Sequence, residues 1–384
     1  MNTVRTHTDW WLLWTTLVLV AFGIVMVYSA SAVSAEIYFH KPSWTFALRQ
    51  LGAAVLGLSV MLWLKYSDYR RLRHGAAVWV PFVIVLVLLA AAIAVDHRAH
   101  RWIRFAGLGQ FQPSELAKPV IVLYLAWFVS SRGRDINSRF SLVPTVFVVG
   151  LTTALIAYGD LGTALIVLSP ALAVYLVAGI DKRHFLVALV CAGLVCIGFV
   201  AKKPYRLIRL TAWFGLTEEK IQQSPELRWL AVRVAASGAA RDADYQVRQS
   251  LIAIGRGGLT GVGLGGSTQK LGFLPEAHTD FIFGVIGEET GLVGCTLLLA
   301  AYLIIFWRGW RAAMLVEEPF GRYLALGATT VIVTQALANM LVALDAAPTK
   351  GLPLPLVSYG GSALICTLVT MGLLMSVADR APSR

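Results

Sequence analysis

The chain is dominated by apolar runs that approach or exceed the roughly 20 residues a helix needs to cross a bilayer. Ten can be drawn, about Trp10–Tyr28, Trp44–Leu64, Ala76–Val95, Leu116–Ser130, Ser141–Tyr158, Leu161–Ile180, Phe185–Ala201, Phe281–Trp307, Tyr323–Leu344 and Leu356–Val377. Inside lipid each backbone amide needs a partner within its own segment, so such runs must be helical. The sequence predicts an all-α polytopic membrane protein: a bundle of ten transmembrane helices in one domain over 1–384, with one long extracytoplasmic loop at about 202–275. A hydrophobic fraction of 57%, a charged fraction of 14% and a mean hydropathy of +0.70 exclude a soluble domain. The first run is read as retained: its apolar part outlasts the roughly 7–15 residues of a secretory signal. Cys191, Cys196, Cys295 and Cys366 fall within runs, without metal or redox spacing, and read as small apolar residues.

Charge sets the orientation. With the N-terminus inside, fifteen Lys and Arg fall in the cytoplasmic segments. Five fall in the short outer loops: Lys41, Arg98, Arg101, Arg104 and Lys350. This bias predicts both termini in the cytoplasm. The formal net charge of +12 is spread over both faces, and a basic outer surface suits an anionic lipid head group. No nucleic-acid-binding motif is visible.

Ionisable motifs gather at the outer edge. Leu271–Gly291 carries Glu276, His278, Asp280, Glu288 and Glu289 where an apolar run begins. Charged groups beside a bilayer core are costly and mark function or a paired cluster. A partly dehydrated Asp280 is expected to have a raised pKa and to accept protons better. If the segment is helical, Asp280, Gly284, Gly287, Gly291 and Gly294 share one face, fit for close packing or for substrate. The plainer reading, a capped helix with a small-residue stripe, explains the glycines but not five ionisable groups.

Upstream, Arg101 and Lys118 flank Gln112-Pro113-Ser114-Glu115, a helix start with Pro in the first position and Glu in the first turn. Arg forks suit phosphate oxygens; a Glu115–Lys118 pair is the plainer reading. Asp160, in Tyr158–Thr163, either caps the next helix or stands as a second acid facing a cavity near Asp280. Tyr205–Phe214 and Glu226–Ala236 read as interfacial helices. Gly261–Gly266 fits G-x-G-x-x-G, but no strand–turn–helix unit surrounds it, so a dinucleotide site is rejected. Lys270 follows as a candidate point charge. In Ala346–Ser362, three prolines stiffen a loop in which Lys350 and Ser358 stand near a helix start, a natural anion site.

RWIRFAGLGQFQPSELAK, DLGTA, YQVRQSLIAIGRGGLTGVGLGGSTQKLGFLPEAHTDFIFGVIGEETG and PTKGLPLPLVSYGGS, in this order, resemble the SEDS family of bacterial shape, elongation, division and sporulation proteins. The resemblance runs from the first span to the tenth. GVGLGGSTQKL and VMVYSASAV are more similar to the cell-division branch than to the elongation branch. The resemblance implies a peptidoglycan glycosyltransferase that polymerises lipid II, the undecaprenyl-diphosphate-linked muropeptide. It also implies a divalent cation (Mg or Mn), a class B penicillin-binding transpeptidase and other divisome membrane proteins as partners, and a place at the septum in the cytoplasmic membrane. Asp280 matches the family's essential aspartate and Asp160 a second important one, taken as the metal site. Arg101, Lys118, Lys270, Lys350 and Ser358 fall within matching motifs as substrate-binding candidates. Three features depart from the pattern: the longer Arg209–Tyr245 segment, Asp345, and Thr290 in place of a common Leu.

Two other classes are weighed against this. A lipid II flippase would place broken helices and ionisable groups near mid-membrane, often with inverted repeats; here the charges crowd the outer edge. A non-catalytic scaffold for the transpeptidase predicts that changes at Asp280 are silent.

Overall fold

The computed structural model describes residues 7–96, 99–105, 109–202 and 239–382. Arg98 and the two expected interfacial helices, Tyr205–Phe214 and Glu226–Ala236, lie outside them. The described residues form α1 (Trp10–Ile37), α2 (Thr45–Tyr66), α3 (Gly75–Val95), a hairpin of β1 (Ile103–Phe105) and β2 (Gly109–Phe111), α4 (Pro113–Arg132), α5 (Arg139–Gly159), α6 (Leu161–Ala178), α7 (Lys182–Lys202), α8 (Ala239–Gly257), α9 (Ile282–Leu315), α10 (Pro319–Ala343) and α11 (Gly361–Ala378). Among these residues, nine helices are long and apolar enough to cross a membrane: α1 to α3, α5 to α7 and α9 to α11. The remaining expected span is α4. It carries Glu115 and Lys118 yet is buried along most of its length. Its surroundings are protein, so it can be polar where lipid-facing helices cannot.

The helices alternate in direction. At one end of the bundle Arg308 grips Asp9 at 2.6 Å, the Asp9 N–H donates to Asp379 at 2.8 Å, and Lys65 pairs with Asp379 at 2.8 Å. The segments leading into α1 and out of α11 therefore meet at the same end. Asp160, Asp280 and Lys350 lie at the other. α10 packs on α4 and α6, and α11 runs along α2. The α2–α11 contact is close because Gly57 and Gly372 present backbone to Leu368 and Met61.

α8 falls within the long loop and docks on α9. Its Val247, Ser250 and Ala253 are buried while Tyr245 and Leu251 are exposed, the periodicity of an amphipathic helix. A Cβ at Gly284 would come within 2.8 Å of Ser250, and one at Gly287 within 2.8 Å of Ile254, so these two glycines make the close approach. The rest of the expected stripe does not form. Asp280 precedes α9, and Gly291, at φ 66° and ψ −164°, breaks the helix. That conformation is open only to glycine. The break frees the Glu288 and Glu289 carbonyls, which accept from the N–H groups of Val262 (3.0 Å) and Gly263 (3.1 Å). The freed N–H groups of Leu292 and Val293 donate to Gly258 (2.9 Å) and Leu259 (3.1 Å). The glycine-rich loop thus supplies the backbone partners that a broken helix lacks.

Candidate active site

A cavity of about 1630 Å³ opens at the end of the bundle away from Asp9 and Asp379. Asp280, Asp160, Arg101 and Lys350 line it, as do Lys41, Arg49 and Glu276. Its floor is apolar, formed by residues such as Ala53, Leu88 and Ile365. Cationic side chains above an apolar floor suit an anionic head group on a hydrocarbon tail.

Both readings of Asp160 hold. Its carboxylate caps α6, accepting from the Thr163 N–H (3.1 Å) and hydroxyl (3.0 Å). It also faces the cavity and pairs with Arg101 at 3.4 Å. Arg101 is held in place by Asp96, whose buried carboxylate accepts from the N–H groups of Ala99, Arg101 and Trp102 at 3.2–3.3 Å. Sequence reasoning passed over Asp96 because, as the first residue after the run Ala76–Val95, it reads as an ordinary loop acid.

Asp280 is half-buried in the turn before α9. The loop before α11 wraps this turn: the Tyr359 N–H donates to the His278 carbonyl at 2.9 Å, and the Ser358 hydroxyl donates to the Thr279 carbonyl at 2.5 Å. Gly351 lies so close that a Cβ there would be 2.5 Å from Asp280 Oδ2. His278 packs between Phe46 and Tyr359. Burial holds its pKa below the ordinary value, opposed by the nearby Glu276 charge.

The other expected residues do not line the cavity. Ser358 is buried and accepts from the Leu354 N–H at 2.8 Å. Lys118, 4% exposed, is held by both Glu115 oxygens at 2.7 Å and by Gln335 Oε1 at 2.6 Å. Cys366 separates it from the cavity, lining both the cavity and the small void beside Lys118. Lys270 is buried among Ser29 (2.9 Å), the Gly265 carbonyl (2.8 Å) and Glu289 (2.8 Å), and so ties the glycine-rich loop to α1 and α9. A charged side chain near a membrane edge thus proves as able to serve a wall as a ligand. Arg49 and Lys41 were passed over as site residues, although an arginine inside an apolar run was a signal. Asp345 gains a reason: at φ 60° it ends α10 in the left-handed conformation, which Asp tolerates better than most residues.

Among the described residues no three His, Cys, Asp or Glu side chains converge as a metal cage. Asp160 and Asp280 are nonetheless two carboxylates on one space. A hard divalent cation that keeps waters and binds substrate phosphate needs one or two.

The model of the cell cycle protein family of FtsW, RodA and SpoVE matches residues 10–382. The chain belongs to this family. A probable peptidoglycan glycosyltransferase FtsW from Geobacter metallireducens is 36% identical over 370 residues, 94% of this chain and 92% of that protein. The stage V sporulation protein E of Bacillus subtilis is 35% identical over 389 residues, 98% of this chain and 99% of that protein. Two solved structures superpose over nearly the whole chain. One is from work on the coordination of polymerisation and crosslinking by a peptidoglycan synthase complex, with a TM-score of 0.70, 29% identity and coverage of 97% of this chain and 98% of that one. The other is the rod shape determining protein RodA of Thermus thermophilus, with a TM-score of 0.66, 29% identity and coverage of 98% of both chains.

Proposed function

We propose that this chain is a peptidoglycan glycosyltransferase that polymerises lipid II on the outer face of the cytoplasmic membrane during cell division. The observation that supports it most is the joint placement of Asp280, Asp160, Arg101 and Lys350 on one cavity with an apolar floor. Two lipid-linked substrates meet there, their tails in the membrane. The acceptor sugar hydroxyl attacks the anomeric carbon of the donor glycan and inverts it. The new carbon–oxygen bond forms as the bond to the lipid diphosphate breaks, and Asp280 takes the hydroxyl proton. Charge develops on the leaving diphosphate, and Arg101, Lys350, Lys41 and Arg49 are the cations lining the cavity that offset it. Asp160 would hold a divalent cation (Mg or Mn), which supplies further neutralisation of phosphate charge when bound. Lys118, Lys270 and Ser358 do not line the cavity and bear on substrate only through the structure they hold.

The chain works with a class B penicillin-binding transpeptidase and other divisome membrane proteins at the septum, with both termini in the cytoplasm. The partner reading is supported by a structural relative from work on a peptidoglycan synthase complex that coordinates polymerisation and crosslinking. The test is polymerisation of purified lipid II by the protein with its transpeptidase and a divalent cation. Asp280→Asn, folded as judged by thermal stability, is expected to lose about 10²–10⁴-fold in rate. A near-wild-type rate refutes the base assignment, and translocation of lipid II without polymer would point to a flippase instead.

A further inference from the structure

The backbone of the Asp280 turn is held at three consecutive carbonyls by three different donors. Two belong to the loop before α11: the Tyr359 N–H for His278 and the Ser358 hydroxyl for Thr279. The third comes from α10, where Asn339 Nδ2 donates to the carbonyl of Asp280 itself at 2.7 Å. The same nitrogen donates to the Leu352 carbonyl at 2.6 Å. Leu352 directly follows Gly351, which packs against the Asp280 carboxylate, and Lys350, which lines the cavity. One amide group therefore fixes the acid's main chain and the loop segment that bears on its side chain.

One turn back on the same face of α10 the pattern recurs. Gln335 Nε2 donates to the Pro353 carbonyl at 2.8 Å, and its Oε1 accepts from Lys118. Both amides are almost wholly buried, Asn339 at 1% and Gln335 at 2% exposure. Only a primary amide offers two N–H donors on one neutral atom, so no apolar residue of similar size could bridge two carbonyls there.

We propose that Asn339 is the positioning residue for Asp280, with Gln335 holding the register one turn behind it. Asn339 touches no reacting atom. It sets the separation between the Asp280 turn and the Lys350–Leu352 segment, and so the direction in which the carboxylate meets the acceptor hydroxyl. The inference rests on Asp280 being the proton acceptor.

The test is a double-mutant cycle in the complete protein, assayed on lipid II with its transpeptidase. Asn339→Ala is expected to lower kcat about 10–100-fold, since a displacement near 1 Å can cost 10²-fold, and to change KM less than about 3-fold. In an Asp280→Asn background the same substitution is expected to lower the residual rate less than about 2-fold, because no proton acceptor remains to misplace. A structural role alone would multiply the loss in both backgrounds, and that result overturns the proposal, as does an Asn339→Ala kcat within about 2-fold of wild type. Asn339→Ser, which keeps one donor, replaces Ala if the latter does not fold and should give a smaller loss with the same cycle. If the Asp280→Asn residual rate is below detection, the split between kcat and KM decides: a rise in KM at constant kcat overturns the proposal. A fully active Asp280→Asn protein refutes the base assignment instead, so the two failures are distinct.

Discussion

Gly351→Ala is a substitution small enough to leave the fold alone and placed to disturb the chemistry. The added Cβ would lie 2.5 Å from Asp280 Oδ2 and 3.4 Å from its Cγ, whereas ordinary contact begins at 3.4 Å. The carboxylate oxygen must therefore retreat by about 0.9 Å, which the same contact sets as the shortfall. The obstacle is the end of a rotatable side chain, so the carboxylate turns away and the backbone stays. Gly351 does not use the left-handed region either, so alanine suits its main chain and slightly disfavours the unfolded state. The strain thus falls on kcat rather than on stability. A displacement of this size is worth roughly 10²-fold in rate when the moved atom must meet a proton in line. Lipid II polymerisation at saturating substrate, with a thermal unfolding midpoint as control, measures both. The expected result is a kcat lowered by about 10–100-fold with the midpoint unchanged. A Gly351→Ala protein that polymerises at the wild-type rate would refute the reasoning, because the carboxylate could then turn aside without consequence.

Two more expectations follow from the same geometry. Lys118→Met leaves Glu115, whose side chain is 1% exposed, as an uncompensated buried charge; about 3–5 kcal/mol of stability should be lost. Removing both charges with Glu115→Gln and Lys118→Met should recover most of it, and a single variant as stable as wild type in a detergent melt would contradict this. The depressed pKa of His278 gives a pH dependence with a definite sign. Below the ordinary value of 6.5 the unfolded chain binds a proton that the folded chain refuses, so this residue's contribution is intact above 6.5 and declines as pH falls beneath it. His278→Phe, which keeps an aromatic ring beside Phe46 and Tyr359, should show a shallower loss of melting temperature between pH 7 and pH 5. Equal slopes would rule out the titration.

The spans were legible because lipid demands apolar surface over a fixed length, and α1 to α7 and α9 to α11 stand where the apolar runs lie. The gathering of acids and cations at one end was legible for the complementary reason: ionisable groups avoid the hydrocarbon. What the chain disclosed for near neighbours such as Glu115 and Lys118, but not for distant ones, was which charges are spent on one another. Lys270 and Glu289 stand 19 residues apart, and only the break at Gly291 and the folded-back glycine-rich loop bring them together. The break itself was hidden, since glycines at helical spacing read as a packing stripe whichever of them leaves the helix. Asn339 and Gln335 were silent inside an apolar run, because an amide's role depends on which carbonyls packing delivers to it. Arg49 was hidden in the same way by the run that contains it.

The ion pair inside α4 bears on the order in which the chain is made. Glu115 and Lys118 are three residues apart on one helix, while Gln335 follows Lys118 by 217 residues. At a ribosome speed of about 5–20 residues per second, α4 waits on the order of 10–40 s for α10 to emerge. A lone lysine would spend that interval exposed to hydrocarbon or held back in the translocon. With its counter-ion built into the same turn, α4 can enter the bilayer already neutral, and the later helix needs only to supply an amide.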